Sequence, residues 1–320
     1  MPRYAAIDVG SNSIRLLVAA VDSKGRFDTL ASDRQVVRLG TGVFRDGKMS
    51  ESSMDLACRV LERMTSEYRD FKVEAVRAVG TSALRDASNQ VDFVARASAI
   101  MRTPLYVISG VEEARLVQRG VQARWPQLRK PVLIVDIGGG SAQLILSENG
   151  RLVDSFSKQL GAVRLTEVYL KSDPPDPREI ARLQKHIRER LAGPLERFGH
   201  GQVHRMIATS STAAAVVCAV NEIKRSKRDE ADTLAASSKQ VVDLLQRVSS
   251  LDLEGRAAVT GVGPRRAEII VAGVAVLSEI MDAIGLSRLH YSIAGVRDGV
   301  VADLAAEAMA GDAALVSARN

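Results

Sequence analysis

The chain has 320 residues, of which 46% are hydrophobic and 26% charged, so it is long enough for two domains that each bury a core. Its net charge of +6 favours encounter with polyanions but is modest for this length, and it does not by itself indicate a nucleic-acid-binding protein. The apolar runs are too short for a signal peptide or a membrane span, so we expect a cytoplasmic protein without a membrane partner.

The first half of the chain alternates predicted strands with turns and helices. YAAIDVGSNSIRLLV at residues 4–18 predicts two strands, and the turn signal DSKGR precedes a third strand at FDTLAS. Ser50 is placed to cap a helix, and KVEAVRAVG and PLYVIS predict buried strands. This alternation predicts a mixed sheet covered by helices.

The second half repeats this organisation. VLIVDIGGGSAQLIL at residues 132–146 and the turn SENGR before LVDSFS predict another three-strand unit. Asp176, Pro177 and Glu179 predict a helix start, and a single long helix is expected to begin at Gly263-Pro264. We predict domains at 1–120 and 121–296, with a final helix at about 297–312 that packs back on the first domain.

The two strand units align with each other in one frame. The matched pairs are Asp8 with Asp136, Gly10 with Gly138, Ser13 with Ser141, and Leu16 with Leu144. Four fixed positions flanked by apolar residues indicate a duplicated unit.

The repeated glycine turns favour anion binding, although a single GGGS could simply form a tight turn. The glycines of DIGGGS lead into a strand, which excludes a P-loop and a dinucleotide fingerprint, because both of those open a helix. Glycine lets backbone N–H groups approach an anion, and an aspartate at the strand end can hold a cation beside it. Two such turns facing each other would hold a phosphate and its metal between two domains.

This paired motif resembles the actin and sugar-kinase superfamily, and further stretches resemble one family within it. GTSALRDA at 80–87, VISGVEEARLVQRGV at 107–121, PRRAEIIVAG at 264–273 and AGVRDGVV at 294–301 look like the exopolyphosphatase and guanosine pentaphosphate phosphohydrolase family. The resemblance runs in order from about residue 4 to residue 305, in the family's short two-domain form.

The resemblance implies an α/β fold of two actin-like (ribonuclease H-like) domains, each a mixed five-stranded sheet flanked by helices, with a cleft between them. It implies a hydrolase that releases terminal phosphate from inorganic polyphosphate, or the 5′-phosphate from guanosine pentaphosphate. Guanosine tetraphosphate is a further expected ligand, and a homodimer is the expected assembly.

The resemblance makes Glu113 the general base that takes a proton from the attacking water. Glu112 and Glu113 lie where a predicted strand turns into a helix, and helix neighbours point about 100° apart, so only one can face a cleft. The helix dipole keeps an early carboxylate ionised, which suits a base, although acidic residues favour helix starts for structural reasons too.

The same resemblance assigns the metal and phosphate ligands. Asp8 and Asp136 are expected to hold Mg²⁺, with Mn²⁺ as the other candidate, since hard cations prefer oxygen ligands. Arg15 and Arg85 either contact phosphate or form surface ion pairs, and Arg297 is expected to join the domains. The remaining expected phosphate contacts are Ser11, Asn12, Ser13, Gly138, Gly139, Gly140, Ser141, Ser211 and Thr212.

Three positions depart from the family pattern. Gln143 stands where a second acidic residue is usual near the metal and the water, and an amide keeps one acceptor oxygen but loses the charge. Ala208 and Ser211, in IATSSTAAAV, stand where the family's third phosphate turn has glycine. These departures predict slower turnover.

Two other classes of protein remain open. A binding protein of the same fold that senses polyphosphate or guanosine tetraphosphate is favoured by Gln143 and Ser211. A kinase or actin-like ATPase is disfavoured by the single Gly295, where kinases carry a glycine pair for adenosine. The basic run IKRSKR at 223–228 is interpreted as a solvated loop because it lacks interleaved aromatic residues.

Overall fold

The computed structural model describes residues 1–125, 129–199 and 202–317, with side chains described through residue 310. These residues form two mixed sheets. The strands of the first sheet are β1 (Arg3–Val9), β2 (Ser13–Val21), β3 (Phe27–Val36), β4 (Ala75–Gly80) and β5 (Leu105–Val107). The strands of the second sheet are β6 (Val132–Ile137), β7 (Ala142–Glu148), β8 (Arg151–Lys158), β9 (Arg205–Thr209), β10 (Ala235–Ser237) and β11 (Arg288–Tyr291).

The two sheets share one topology. The first has the order β3-β2-β1-β4-β5, in which an antiparallel meander is extended by two strands parallel to β1. The second has the order β8-β7-β6-β9-β11-β10, and its first five strands repeat that pattern. The predicted pair of mixed sheets is confirmed, and we call each sheet with its helices a lobe.

The predicted strand number is wrong for the second lobe, which has six strands rather than five. The additional strand, β10, is three residues long and pairs antiparallel with β11. Its last residue, Ser237, also caps the helix that follows by accepting a hydrogen bond from Gln240 N. A segment this short contains too little alternation to produce a strand pattern.

The helices cover both faces of the sheets. They are α1 (Val43–Asp46), α2 (Glu51–Asp70), α3 (Ser82–Asp86), α4 (Gln90–Met101), α5 (Gly110–Arg124), α6 (Ala162–Tyr169), α7 (Pro177–Phe198), α8 (Ser210–Val220), α9 (Ser238–Ser249), α10 (Leu253–Ala258), α11 (Pro264–Ala267), α12 (Ile270–Ile284) and α13 (Val296–Ser317). The predicted Ser50 cap and the Asp176 capping box with Glu179 are confirmed. None of the described helices is both long and apolar enough to span a bilayer.

The helix predicted to start at Gly263-Pro264 is interrupted, so the prediction of one continuous helix is wrong. Helix α11 ends at Ala267, and Ile269 has φ −117° and ψ 4°, outside helical geometry. The carbonyl of Ala267 accepts a 2.9 Å hydrogen bond from Arg256 Nε. The break therefore lets a buried side chain use a carbonyl that a continuous helix would need for itself.

Helices α5 and α13 form a layer between the two sheets. Alternate residues of β1 enter different cores: Ile7 packs with α2 and α4, whereas Ala6 packs with α5, α13 and strands of the second sheet. A Cβ on Gly120 would lie 2.2 Å from Gly295 O, and one on Gly299 would lie 2.0 Å from Leu116 O. Only glycine permits this approach of the two helices, which fixes α5 between the lobes.

Candidate active site

The two glycine turns meet in a cavity between the lobes, which we call the active-site cavity. Gly10 N donates to Ser13 O at 3.1 Å in the first turn, and Gly138 N donates to Ser141 O at 2.9 Å in the second. The duplicated sequence thus forms the same turn twice. The sequence analysis expected Gly138 to contact phosphate, but its N–H is used within the turn, where it donates to Ser141 O. The residues that line the cavity are Asp8, Gly10, Ser11, Asn12, Ser13, Arg15, Thr81, Ser82, Glu113, Asp136, Gly138, Gly139, Gly140, Ser141, Ser210, Arg266 and Val296.

The turns of the two lobes touch each other, and this contact explains two of the glycines. A Cβ on Gly139 would lie 2.8 Å from Ser11 Cβ, and one on Gly140 would lie 2.4 Å from both Phe44 Cζ and Ser82 Oγ. Such distances are too short for any real side chain. Gly139 and Gly140 therefore allow the lobes to close around the cavity.

Two aspartates line this cavity, Asp8 from the first lobe, which is buried, and Asp136 from the second, which is partly buried. Burial raises the pKa of Asp136 to about 6, with Arg15 lowering it and Asp8 raising it further. Burial likewise raises the pKa of Asp8, against the lowering effect of Arg15 and Arg297. Both carboxylates are thus placed where a cation would stabilise their ionised form.

Gln143 lies opposite Asp136 on the neighbouring strand of the hairpin. Its Nε2 donates to Ser141 Oγ at 3.1 Å, and the side chain is 1% exposed. Gln143 Oε1 and Asp136 Oδ1 are both buried without a hydrogen-bond partner among the described residues. Two unpartnered acceptor oxygens on facing residues fit a hard cation, which binds oxygen ligands.

Glu113 is the carboxylate that α5 directs into the cavity. Ser109 Oγ caps the helix by accepting from Glu112 N at 3.1 Å. Glu113 is 5% exposed, whereas Glu112 lies on the surface and pairs with Arg115. Burial raises the pKa of Glu113 to about 7, Arg85 lowers it, and Asp136 raises it. A group with this pKa changes protonation near neutral pH, as a general base must.

Arg85 lies behind Glu113 rather than in the lining of the cavity. Its Nη1 donates to Glu113 Oε2 at 2.9 Å and to Ile108 O at 2.8 Å. Of the two interpretations open at the level of sequence, the structure therefore places Arg85 in an ion pair. The pair is largely buried, and its partner is the candidate base rather than a surface carboxylate.

The third turn contributes Ser210 to the cavity, a residue that the sequence analysis missed. Ser210 has φ 77°, in the left-handed region that favours glycine, and its Oγ donates to Ile137 O at 2.8 Å. Ser211 and Thr212 do not line this cavity: Ser211 Oγ accepts from Arg15 Nη2 at 3.0 Å, and Thr212 Oγ1 donates to Ile137 O at 3.4 Å. Ala208 is buried within β9.

Arg266 is another lining residue to which the sequence analysis gave no role. It is 3% exposed, and burial lowers its pKa to about 9, with Arg225 and Arg15 acting in the same direction and Asp136 in the opposite one. The motif PRRAEIIVAG carried the signal, because it contributed to the family resemblance. The role was missed because the charged neighbours of Arg266, which are Arg225, Arg15 and Asp136, are distant from it in the sequence.

The cavity has the means to bind phosphate and to take up a proton. Facing glycine turns, three carboxylates and two arginines lie together in a cleft between two lobes of the actin-like fold. Such a site defines a class of proteins that handle phosphoryl groups.

Comparison with known proteins gives the family. Residues 17–308 match the Ppx/GppA phosphatase family. Exopolyphosphatase 2 of Mycobacterium tuberculosis is 30% identical over 317 residues, covering 95% of this chain and 99% of that protein. The Ppx/GppA family member of Aquifex aeolicus superposes with a TM-score of 0.82 and 25% identity, covering 96% of this chain and 98% of that one. The chain therefore belongs to the Ppx/GppA phosphatase family.

An exopolyphosphatase from Cytophaga hutchinsonii has the same fold, with a TM-score of 0.86 and 24% identity over 93% of this chain and 96% of that one. The two-lobed actin-like architecture is thus shared over nearly the whole length of both chains.

Proposed function

We propose that this protein is an exopolyphosphatase that removes the terminal phosphate of inorganic polyphosphate by attack of water. The observation that carries the proposal is Glu113, a buried carboxylate with a pKa of about 7 that lies between two facing glycine turns. Support also comes from the family and from the name of the Mycobacterium tuberculosis relative.

In this proposal the glycine turns hold the terminal phosphate. The proposed donors are the backbone N–H groups of Ser11, Asn12, Gly139 and Gly140 and the hydroxyls of Ser13 and Ser141, all of them residues that line the cavity. Arg15 and Arg266 offset the negative charge of the phosphate from the same cavity. These fixed donors position the phosphorus for attack, which is the main task of a protein in phosphoryl transfer.

Glu113 takes the proton of the attacking water. The new bond forms between the water oxygen and the terminal phosphorus, and the phosphoanhydride bond to the rest of the chain breaks. The proton passes to Glu113 and then to solvent, and the products are orthophosphate and a shortened chain. Arg85 holds the carboxylate in place at 2.9 Å and keeps enough of it ionised to act as a base.

Mg²⁺ or Mn²⁺ is the proposed cofactor, with Asp8, Asp136 and Gln143 as its protein ligands. No group of three or more His, Cys, Asp or Glu residues with metal-binding geometry occurs in the described part of the chain, so the site offers two carboxylates and one amide oxygen. Mg²⁺ commonly keeps several waters and binds through one or two carboxylates, which agrees with this small set of ligands. When bound, the cation would neutralise phosphate charge.

The same chemistry would release the 5′-phosphate of guanosine pentaphosphate, which we propose as the second substrate on the basis of the family. The test is phosphate release from long-chain polyphosphate and from guanosine pentaphosphate, each with and without Mg²⁺. We expect release from polyphosphate that depends on Mg²⁺. Tight binding of either compound without any release would instead make the protein a binding member of its family.

A further inference from the structure

Arg256 is a buried arginine that no step of the proposed reaction uses. It lies on α10, is 5% exposed and does not line the active-site cavity. Burying a guanidinium is costly unless acceptors satisfy its donors, and removing one partner of a buried charge destabilises a protein. The acceptors that Arg256 uses therefore show what it holds in place.

The guanidinium of Arg256 joins three segments of the second lobe. Its Nε donates to Ala267 O at 2.9 Å, its Nη1 to Leu251 O at 2.6 Å, and its Nη2 to Asp173 Oδ1 at 2.7 Å. The other oxygen of the Asp173 carboxylate accepts from Leu253 N at 2.9 Å, at the start of α10. Arg256 thus ties the end of α11 to α10 and to the loop before α7 through one planar fork of donors.

The contact with α11 lies one residue from a side chain of the active-site cavity, because Ala267 directly follows Arg266. Helix α11 has only four residues, and its N-terminus has no side-chain cap. Helices this short are marginal on their own. At its other end, Arg38 pairs with Glu268, but both side chains are about half exposed, and such exposed pairs contribute little. The buried bond from Arg256 is therefore the stronger of these two polar anchors.

The side chain of Arg266 depends on its backbone for placement. It is 3% exposed, and its Nε and Nη1 have no hydrogen-bond partner among the described residues. Hydrogen bonds at these two nitrogens would hold the guanidinium even if its backbone moved. Without them, a displacement of α11 moves the charge of Arg266 relative to the glycine turns. A misplacement of about 1 Å at a catalytic site can cost about 10²-fold in rate.

We propose that Arg256 is a positioning residue for phosphate binding: it anchors α11 and so keeps Arg266 in place in the active-site cavity. The inference rests on the proposed function for the role of Arg266 as a phosphate ligand. Arg256 does not itself contact the substrate, so its whole effect on binding passes through one other side chain. A purely structural residue would lack this dependence, which makes the role measurable.

The test is a double-mutant cycle on ligand binding, in the Glu113→Gln background to prevent turnover. Calorimetry measures the binding of long-chain polyphosphate to this reference protein, to Arg256→Gln, to Arg266→Gln and to the double variant. Arg266→Gln should weaken binding by about tenfold or more, since it removes charged hydrogen-bond donors. Arg256→Gln should weaken it about fivefold when Arg266 is present, but less than about twofold beside Arg266→Gln, because coupled residues are not additive.

The matched control is Arg188→Gln, which also removes an arginine paired within the second lobe. Arg188 pairs with the buried Glu279 and does not line the active-site cavity. Its loss should lower the melting temperature without weakening polyphosphate binding. If Arg256→Gln does not fold, the cycle is measured with Arg256→Lys, which keeps the charge but cannot replace the planar fork. It should give the same non-additive pattern with a smaller loss.

Three results would overturn this role: equal weakening by Arg256→Gln in both backgrounds, a lower melting temperature with unchanged polyphosphate binding, or no weakening by Arg266→Gln. Failure of the proposed function has a different signature, because the cycle measures binding alone. A parent protein that releases no phosphate, together with the predicted cycle, would contradict the proposed function and leave the role of Arg256 intact. Absence of polyphosphate binding by the reference protein would contradict both.

Discussion

Arg85 Nη1 lies 2.9 Å from Glu113 Oε2, so the candidate base is held by a guanidinium that does not itself line the active-site cavity. The pair joins two helices, with Arg85 on α3 of the first lobe and Glu113 on α5 between the lobes. Two opposing effects meet at this carboxylate, since burial raises its pKa and Arg85 lowers it. The balance leaves a carboxylate that is ionised over the upper half of the physiological range.

The first prediction follows from this balance. Phosphate release should rise with pH through about 7, because Glu113 acts in its deprotonated form and its pKa is raised to about 7. Arg85→Gln removes the group that lowers this pKa, so the rising limb should move upward by about one pH unit or more. The measurement is a pH profile of kcat/KM for both proteins.

A control is Arg115→Gln on the same helix, which breaks the pairs of Arg115 with Glu112 and with Asp303. Neither carboxylate lines the cavity, so the rising limb of the pH profile should stay in place. If Arg85→Gln instead raised KM and left the rising limb of the pH profile unchanged, Arg85 would contact phosphate directly, and it would not act through the pKa of Glu113.

The second prediction concerns Gln143. Gln143→Glu adds a carboxylate opposite Asp136, which should increase Mg²⁺ affinity and raise phosphate release at low Mg²⁺ by at least about tenfold, since charge at such a preorganised site has large effects. Gln143→Met removes the unpartnered Oε1, so it should bind Mg²⁺ more weakly than the parent protein does. Mg²⁺ affinity, measured by titrating activity and by calorimetry, should decrease in the order Glu, Gln, Met for the residue at position 143. Identical titrations for all three proteins would remove this position from the metal site.

The sequence predicted the parts of the site that depend on local pattern. The duplicated turns, with Asp8 and Asp136 in matching places, were visible because hairpins and glycines leave strong local signals. The cap at Ser50 and the capping box at Asp176 were visible for the same reason. The angle between helix neighbours predicted that only one of Glu112 and Glu113 faces the cleft, and the family resemblance selected Glu113.

Other parts depend on how distant segments pack, and the sequence did not predict them. Arg266 lines the cavity from α11, and that helix ends where Arg256 takes the carbonyl of Ala267. Arg225, in the run interpreted as a solvated loop, is partly buried and donates to Ser211 O at 3.4 Å. Ser210 has a left-handed backbone conformation, which is predicted from sequence only where glycine occurs. Each feature depends on tertiary contacts that override local preference.

The third prediction tests the closure of the lobes. A Cβ on Gly140 would lie 2.4 Å from Phe44 Cζ and Ser82 Oγ, so Gly140→Ala should push the turns of the two lobes apart. A shift of about 1 Å at a catalytic site can cost about 10²-fold in rate, and we expect a loss of that order in kcat/KM. Gly138→Ala is the comparison in the same turn, because its Cβ would meet only Ser141 O, at 3.3 Å. Equal losses for the two variants would argue against contact between the lobes as the cause.

The fourth prediction is the central one, that Glu113 is the general base of a polyphosphate hydrolase. The most direct measurement is steady-state phosphate release from long-chain polyphosphate by the parent and by Glu113→Gln, with calorimetric binding of the same substrate to both. The proposal predicts Mg²⁺-dependent release by the parent, a loss of about 10²- to 10⁴-fold in the variant, and polyphosphate affinity within about threefold of the parent, since only the proton acceptor is removed. Release by Glu113→Gln within about threefold of the parent rate would contradict it.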